Sequence, residues 1–364
     1  MTQIPYRDLR VRDPALKAEL LAAVDQVLSH GRLLLGPEHD TLEATLAAQC
    51  GRRFGVGVGS GSDALFLGLR ALGIGPGDEV ITTALSWIAT ANAIVMTGAT
   101  PVFVDVRDDF NLDPDRVEAA ITPRTRALLP VHYTGQMCAM APLLDQCARH
   151  GLSLVEDAAQ AFGAQWQGHV AGSLGRIACF SMNPMKILGA YGEAGMILTD
   201  EPALRDKLHC LRYNGTVNKE DCHIPSLNGR LDTLQAAMLL VNLRHLPERI
   251  RERRRIAALY DAELAGVVAT PPVGAEQFHT YYSYTIVHER RDALKAFLLE
   301  HGVETKIQHP IPLPHHTAYR HRFAAEIPVA ARLASQLLCL PNQEGLQDDE
   351  IAYICRLVRQ FVAG

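Results

Sequence analysis

The sequence predicts an α/β chain built on a mostly parallel sheet, and three observations predict it. From about residue 55 to 200, short apolar runs alternate with segments of helical period. Those runs are continuously apolar rather than alternating, as in strands covered on both faces. After about residue 245 the texture changes to a smaller α+β pattern. The 364 residues are enough for two domains, which we place at 1–245, with an N-terminal helical segment, and 246–364.

Taken in order, Ser62–Leu72 reads as a helix with Leu65, Phe66, Leu69 and Leu72 on one face. Gly73–Asp78 is a turn cluster, Glu79–Thr83 a strand, and Trp87–Met96 a helix. Pro101–Val106 is a strand, followed by a helix near Asp113–Ala120. Arg126–His132 is a strand, Ala141–His150 a helix and Leu152–Glu156 a strand. Ile177–Ser181 and Met196–Thr199 add two more strands. In the second part, Pro247–Leu264 reads as a helix with a strongly basic face. A strand near Tyr282–Val287, a helix near Ala293–His301 and a strand near Val303–Ile307 follow. A Pro-rich loop and two helices end the chain.

Composition excludes several classes. Apolar residues make up 48% and charged residues 21%, and the net charge of −5 offers no basic excess for a nucleic-acid backbone. No apolar stretch reads as a membrane span, and the N-terminus does not read as a signal peptide. The eight cysteines are scattered with no C-x-x-C pair, which fits reduced thiols in a cytoplasmic protein.

Four segments carry candidate chemistry. Gly57-Val58-Gly59-Ser60-Gly61-Ser62-Asp63 opens a helix. Glycines permit close approach to an anion, and the helix N-terminus offers free N–H groups. The plainer reading is a capped turn. Leu154-Val155-Glu156-Asp157-Ala158-Ala159-Gln160 puts a carboxylate at the end of a buried strand, which is costly without a cation or donor beside it. The plainer reading is an Asp that caps the next helix. Phe180-Ser181-Met182-Asn183-Pro184-Met185-Lys186, followed by Gly189 to Gly195, holds a lysine in an otherwise uncharged, Gly-rich segment. An amine withdrawn from water attacks a carbonyl more readily, although most lone lysines are surface residues. At Asn228-Gly229-Arg230-Leu231-Asp232-Thr233 a polar loop enters an apolar helix, which capping alone explains.

In this order and spacing the four segments resemble the DegT/DnrJ/EryC1/StrS family of sugar aminotransferases. The resemblance runs from Ile4-Pro5-Tyr6-Arg7-Asp8-Leu9 to the last helix, through Gly75-Pro76-Gly77-Asp78-Glu79 and Gly98-Ala99-Thr100-Pro101. It implies the fold type I of pyridoxal-phosphate enzymes, with a mostly parallel seven-stranded sheet, a smaller C-terminal domain and a homodimer with shared sites. It implies pyridoxal 5'-phosphate as cofactor, with pyridoxamine 5'-phosphate carrying the amino group between substrates. By position, Lys186 resembles the Schiff-base lysine and Asp157 the partner of the pyridine nitrogen. Gln160 resembles the residue near the ring hydroxyl, and Trp87 an aromatic against the ring, for which core packing is the plainer reading. Gly61, Ser62 and Ser181 resemble phosphate ligands, and Asn228 the residue that reaches the phosphate from the other subunit. The implied reaction is ping-pong transfer from an amino donor, usually glutamate, to a keto sugar, by default nucleotide-linked.

Departures from the family pattern are also visible. Gly59 stands where many members have Asn. Met182 and Asn183 replace aromatics, and Met185 replaces a small polar residue. The family's His-Tyr-Pro segment reads Gln308-His309-Pro310, so no substrate contact is carried over from it. His309, His315, His316 and His321 lack compact metal-ligand spacing, and no metal is expected. Arg251 to Arg255 read as a solvated helix face rather than a diphosphate grip. The alternatives are a sugar dehydratase of the same fold, against which Lys186 argues, a cofactor-binding regulator, and an aminotransferase of a free keto sugar, sugar phosphate or cyclitol.

Overall fold

The computed structural model describes residues 3–364. Seven strands form the central sheet: β1 (Phe54–Val58), β2 (Glu79–Thr83), β3 (Thr100–Val104), β4 (Thr125–Leu129), β5 (Ser153–Asp157), β6 (Ile177–Ser181) and β7 (Gly195–Thr199). Their order across the sheet is β1-β7-β6-β5-β4-β2-β3, and β7 alone runs antiparallel to its neighbours. The apolar runs form this sheet because both of its faces are covered. Val80, Ile81, Leu128, Val155, Ile177 and Ile197 are buried, and each such side chain contributes about 1.5–3 kcal/mol when removed from water.

Among the described residues, ten α-helices surround the sheet or build the C-terminal part. They are α1 (Pro14–His30), α2 (Pro37–Gln49), α3 (Gly61–Ala71), α4 (Ala89–Met96), α5 (Met140–His150), α6 (Pro202–Leu211), α7 (Thr233–Leu264), α8 (Arg291–Glu300), α9 (Pro328–Gln336) and α10 (Asp348–Ala363). One buried cluster joins α2, α5 and the first half of α7 to one face of the sheet. A second joins α3, α4 and α6 to the other. A third packs the end of α7, α8 and α10 against the hairpin β8 (Tyr284–Val287) and β9 (Leu337–Leu340).

Several expectations are corrected. The segment 113–120 forms two short 3-10 turns rather than a helix, because Pro114 and the loop onto which Gln146 donates leave room for single turns only. The segment 303–307 is no strand. Only Val303 and Lys306 bridge neighbours, to Ile4 and Cys339. The C-terminal pair of helices is interrupted by β9, whose run Leu337-Leu338-Cys339-Leu340 is fully buried. The basic helix begins at Thr233, and Pro247 lies inside it. Apolar packing on both sides of Pro247 outweighs one lost main-chain hydrogen bond. Nor is its arginine run wholly solvated. Arg253 is buried, bonded to Glu344 at 3.0 Å and to the Asn342 carbonyl at 2.9 Å.

Candidate active site

The carboxyl ends of β1, β5 and β6 converge with the start of α3, where an open α/β sheet presents its ligand crevice. After β1 the chain turns into α3 with Ser60 as N-cap. Its Oγ accepts the Asp63 N–H at 3.0 Å. Ser62 was the expected hydroxyl for an anion. It is not consumed by capping and its residue is exposed. A Cβ on Gly61 would stand 2.5 Å from Ser181 Cβ, so a glycine is required for the helix start to lie against the end of β6. Gly61, Ser62 and Ser181 therefore lie together around the free N–H groups of α3, an anion cradle that suits a phosphate.

Asp157 ends β5 and is buried. Thr90 donates to Oδ2 at 2.9 Å, and the Ala159 N–H donates to Oδ1 at 3.2 Å. Among the described residues no cation lies in salt-bridge contact with it. Burial pushes its pKa upward, and the bonds from Thr90 and Ala159 and the fields of Lys186 and His132 only partly oppose this. A buried carboxylate in that state fits a protonated ring nitrogen. Its neighbour Glu156 has the opposite role. It is fully buried and accepts from His132 Nε2 at 2.9 Å, from the N–H groups of Gly172 and Leu174 at 2.8 Å, and from the Gly175 N–H. Burial raises its pKa, but His132 and the glycine N–H groups outweigh that and hold it below the usual range.

Lys186 lies in the loop between β6 and β7. Its N–H bonds the Asn183 carbonyl at 2.8 Å, and its Nζ stands 4.8 Å from the centre of the Tyr282 ring. Among the described residues no carboxylate pairs with it. The loop is pinned from outside by Arg7, which donates to the Met185 carbonyl and, at 2.9 Å, to the Tyr282 carbonyl. Beside it opens a groove of about 770 Å³ lined by Lys186, Tyr191, Arg7, Asn242 and Arg249.

Gln160 is buried, and its Oε1 accepts the Thr134 N–H at 2.9 Å and Gln308 Nε2 at 3.1 Å. Its own amide N–H groups are left to donate. Trp87 is 62% exposed, which removes core packing as its explanation. Its ring lies 6.0 Å from that of His309. Asn228 is exposed and its Oδ1 accepts Arg230 Nε at 2.7 Å. The backbone of its segment meets the glycine turn through the bond from the Gly59 N–H to the Gly229 carbonyl.

The sequence reading missed Thr90, His132, Tyr133, Glu156, Tyr282 and His309 as members of this region. For Thr90 a signal existed, since it sits one turn into the helix that begins near Trp87. His309 and Tyr282 come from distant segments that no local pattern joins to Lys186. Among the described residues no helix is long and apolar enough to cross a membrane.

The chain is similar to known proteins over nearly its whole length. The model of the DegT/DnrJ/EryC1/StrS aminotransferase family matches residues 14–359. A pleiotropic regulatory protein of Geobacillus stearothermophilus is 40% identical, across 98% of this chain and 98% of its own. A UDP-N-acetyl-3-dehydro-alpha-D-glucosamine 3-aminotransferase of Acidithiobacillus ferrooxidans is 40% identical, across 100% of this chain and 99% of its own. The crystal structure of DesV from S. venezuelae in complex with a ketimine intermediate matches with a TM-score of 0.97 and 41% identity, covering 100% of both chains.

Proposed function

Because the chain belongs to the DegT/DnrJ/EryC1/StrS aminotransferase family, we propose that it moves an amino group from an amino acid, glutamate by preference, to a nucleotide-linked keto sugar. The observation that carries this reading is the buried, cation-free Asp157 at one strand end with Lys186 beyond the neighbouring one. The relative named as a UDP-sugar aminotransferase supports the acceptor class.

In this reading Lys186 Nζ would hold the cofactor through its aldehyde. Asp157 keeps the ring nitrogen protonated, and Gln160 donates to the ring hydroxyl. Trp87 covers one ring face. Gly61, Ser62 and Ser181 hold the phosphate at the α3 N-terminus. When bound, pyridoxal 5'-phosphate supplies an electron-withdrawing ring that accommodates the charge left by the departing α-proton. The amine of Lys186 would serve as the base that takes a proton from the donor's α-carbon and returns one to the cofactor carbon. The amino acid leaves as a keto acid before the sugar enters, so the kinetics are ping-pong.

The protein works as a homodimer in which Asn228 serves the partner's phosphate cradle. Support comes from the exposed side chain of Asn228 and from the exposed Leu21, Leu28, Leu33 and Leu34 of the N-terminal segment. Residues 1–245 act as the cofactor domain and 246–364 as the small domain. Eight free cysteines, six of them buried, support a reducing, cytoplasmic setting. The test is the first half-reaction. Cofactor-loaded protein mixed with glutamate should release one keto acid per site and change its absorbance accordingly. Protein that binds the cofactor at Lys186 but releases no keto acid from any amino acid would refute transamination.

A further inference from the structure

Two hydroxyls in a row, and no cation, stand at Oδ2 of Asp157. Thr90 Oγ1 lies 2.9 Å from that oxygen, and Ser86 Oγ lies 2.9 Å from Thr90 Oγ1. Ser86, Thr90 and Asp157 are each at most 3% exposed, so water does not enter the row. The turn that leads into α4 builds it. Ser86 and Thr90 are four residues apart, and the Thr90 N–H bonds the Trp87 carbonyl at 3.1 Å. Both hydroxyl residues are buried, while Trp87 between them is turned out to the surface.

Chemistry sets the direction of the row. An ionised carboxylate only accepts, so the single hydroxyl hydrogen of Thr90 goes to Asp157. Thr90 Oγ1 is then left to accept, and Ser86 donates to it. Among the described residues neither hydroxyl has another partner. A hydroxyl that accepts a bond donates more strongly on its far side, because bonds in a chain polarise one another. Oδ1 meets only the Ala159 N–H, at the longer distance of 3.2 Å, and is the freer of the two carboxylate oxygens.

The row bears on a competition for one proton. Burial favours the neutral carboxyl. The Thr90 bond opposes it most, followed by the Ala159 N–H and the fields of Lys186 and His132. The nearby thiols of Cys138 and Cys179 are held neutral by burial, and the charge of Glu156 is met by His132 and main-chain N–H groups. When a basic ring nitrogen is set against Asp157, the two groups share a proton. A carboxyl that keeps it leaves the ring uncharged and a poorer electron sink.

We propose that Ser86 and Thr90 are positioning residues, a hydroxyl relay that keeps this proton on the cofactor's ring nitrogen by stabilising Asp157 as an anion. The proposal rests on the pyridoxal-phosphate reading of the site and adds two residues that act through Asp157. Neutral hydroxyls suit the task. A cation in their place would cancel the charge of Asp157 and weaken its hold on the ring proton, whereas a hydroxyl stabilises the anion without neutralising it.

Two measurements that do not depend on turnover test this. In cofactor-free protein, carbon-13 NMR of labelled aspartate, assigned by difference against Asp157→Asn, should show Asp157 titrating at a higher pH in Thr90→Val than in the unaltered protein. In protein loaded with nitrogen-15 pyridoxal 5'-phosphate, the ring nitrogen should be protonated in the unaltered protein and less so in Thr90→Val. Thr90→Ser, which keeps the hydroxyl, should restore both signals. Ser86→Ala should move both in the same direction by less. Release of keto acid from glutamate should slow about ten- to hundredfold in Thr90→Val, as expected for one lost hydrogen bond to a charged acceptor. If either signal is the same in Thr90→Val as in the unaltered protein, the proposal is overturned, even if the variant melts earlier, because lost stability alone is what a purely structural hydroxyl predicts. If Thr90→Val does not fold, Ser86→Ala decides by the same two signals. Unaltered protein that loads the cofactor but releases no keto acid defeats transamination instead, and the two spectra still decide the relay.

Discussion

Asp157 illustrates how one residue ties stability to function. Its carboxylate is buried, and only neutral donors touch it, so its charged form is disfavoured in the folded, cofactor-free protein. A folded-state pKa raised by burial is a penalty present above that pKa and relieved as pH falls through it. Cofactor-free protein should therefore gain stability on mild acidification. Asp157→Asn should raise its melting temperature at neutral pH while lowering that of the cofactor-loaded form. Calorimetry on both forms checks this. Lys186 is the complementary case. Borohydride reduction of the loaded enzyme followed by peptide mass mapping should mark position 186, and Lys186→Ala should abolish both the mark and turnover. Both positions stand out in the sequence, Asp157 as a carboxylate at the end of an apolar run and Lys186 as a lone charge in an otherwise uncharged, Gly-rich segment. Glu156 was legible only as a letter beside Asp157. Its bonds to His132, Gly172 and Leu174 depend on segments packed from elsewhere.

The strands and helices show which local signals suffice. The strands at 79–83 and 177–181 fall where the sequence puts them, the first around Val80 and Ile81 and the second on the run Ile177-Ala178-Cys179-Phe180 that a fully covered strand leaves. The run 113–120 carries helix-forming residues but buries only Pro114 and Val117, and it settles into single turns. Segment 303–307 has strand character without a continuous partner, which no local pattern reveals. Junctions between elements are equally exacting. A Cβ on Gly195 at the start of β7 would stand 2.2 Å from the Ser60 carbonyl oxygen, so Gly195→Ala must push the turn before α3 outward. We expect a loss of about 1–3 kcal/mol in stability and weaker cofactor binding, read by thermal denaturation and cofactor titration. Glu156→Gln should cost at least as much, since an amide cannot accept from all four of its donors, His132, Gly172, Leu174 and Gly175. The loss should appear at neutral pH and shrink as pH falls through the depressed pKa of Glu156.

At the scale of the whole molecule, the shared-site arrangement makes a distinctive prediction. If Asn228 serves the partner subunit, Lys186→Ala and Asn228→Ala chains should each be impaired alone. Mixed dimers would place both defects in one site and leave the other intact. Co-refolding equal amounts should then restore about a quarter of native activity, by random pairing of subunits. No recovery would mean that each chain completes its own site. The overall architecture was readable from texture alone, but its wiring was not. Pro247 suggested a break where the chain instead forms a continuous α7. One half of that helix, through Leu239, Leu243 and Leu246, belongs to the core beneath the sheet, and the other, through Ile256, Tyr260 and Leu264, to the C-terminal core. A rod of 32 residues, about 48 Å long, is thus embedded at both ends. A clamshell motion of one core against the other would have to flex this rod near its proline, so we expect substitutions in the short loops near Lys186 to alter turnover more than substitutions along the rod, as steady-state kinetics would show.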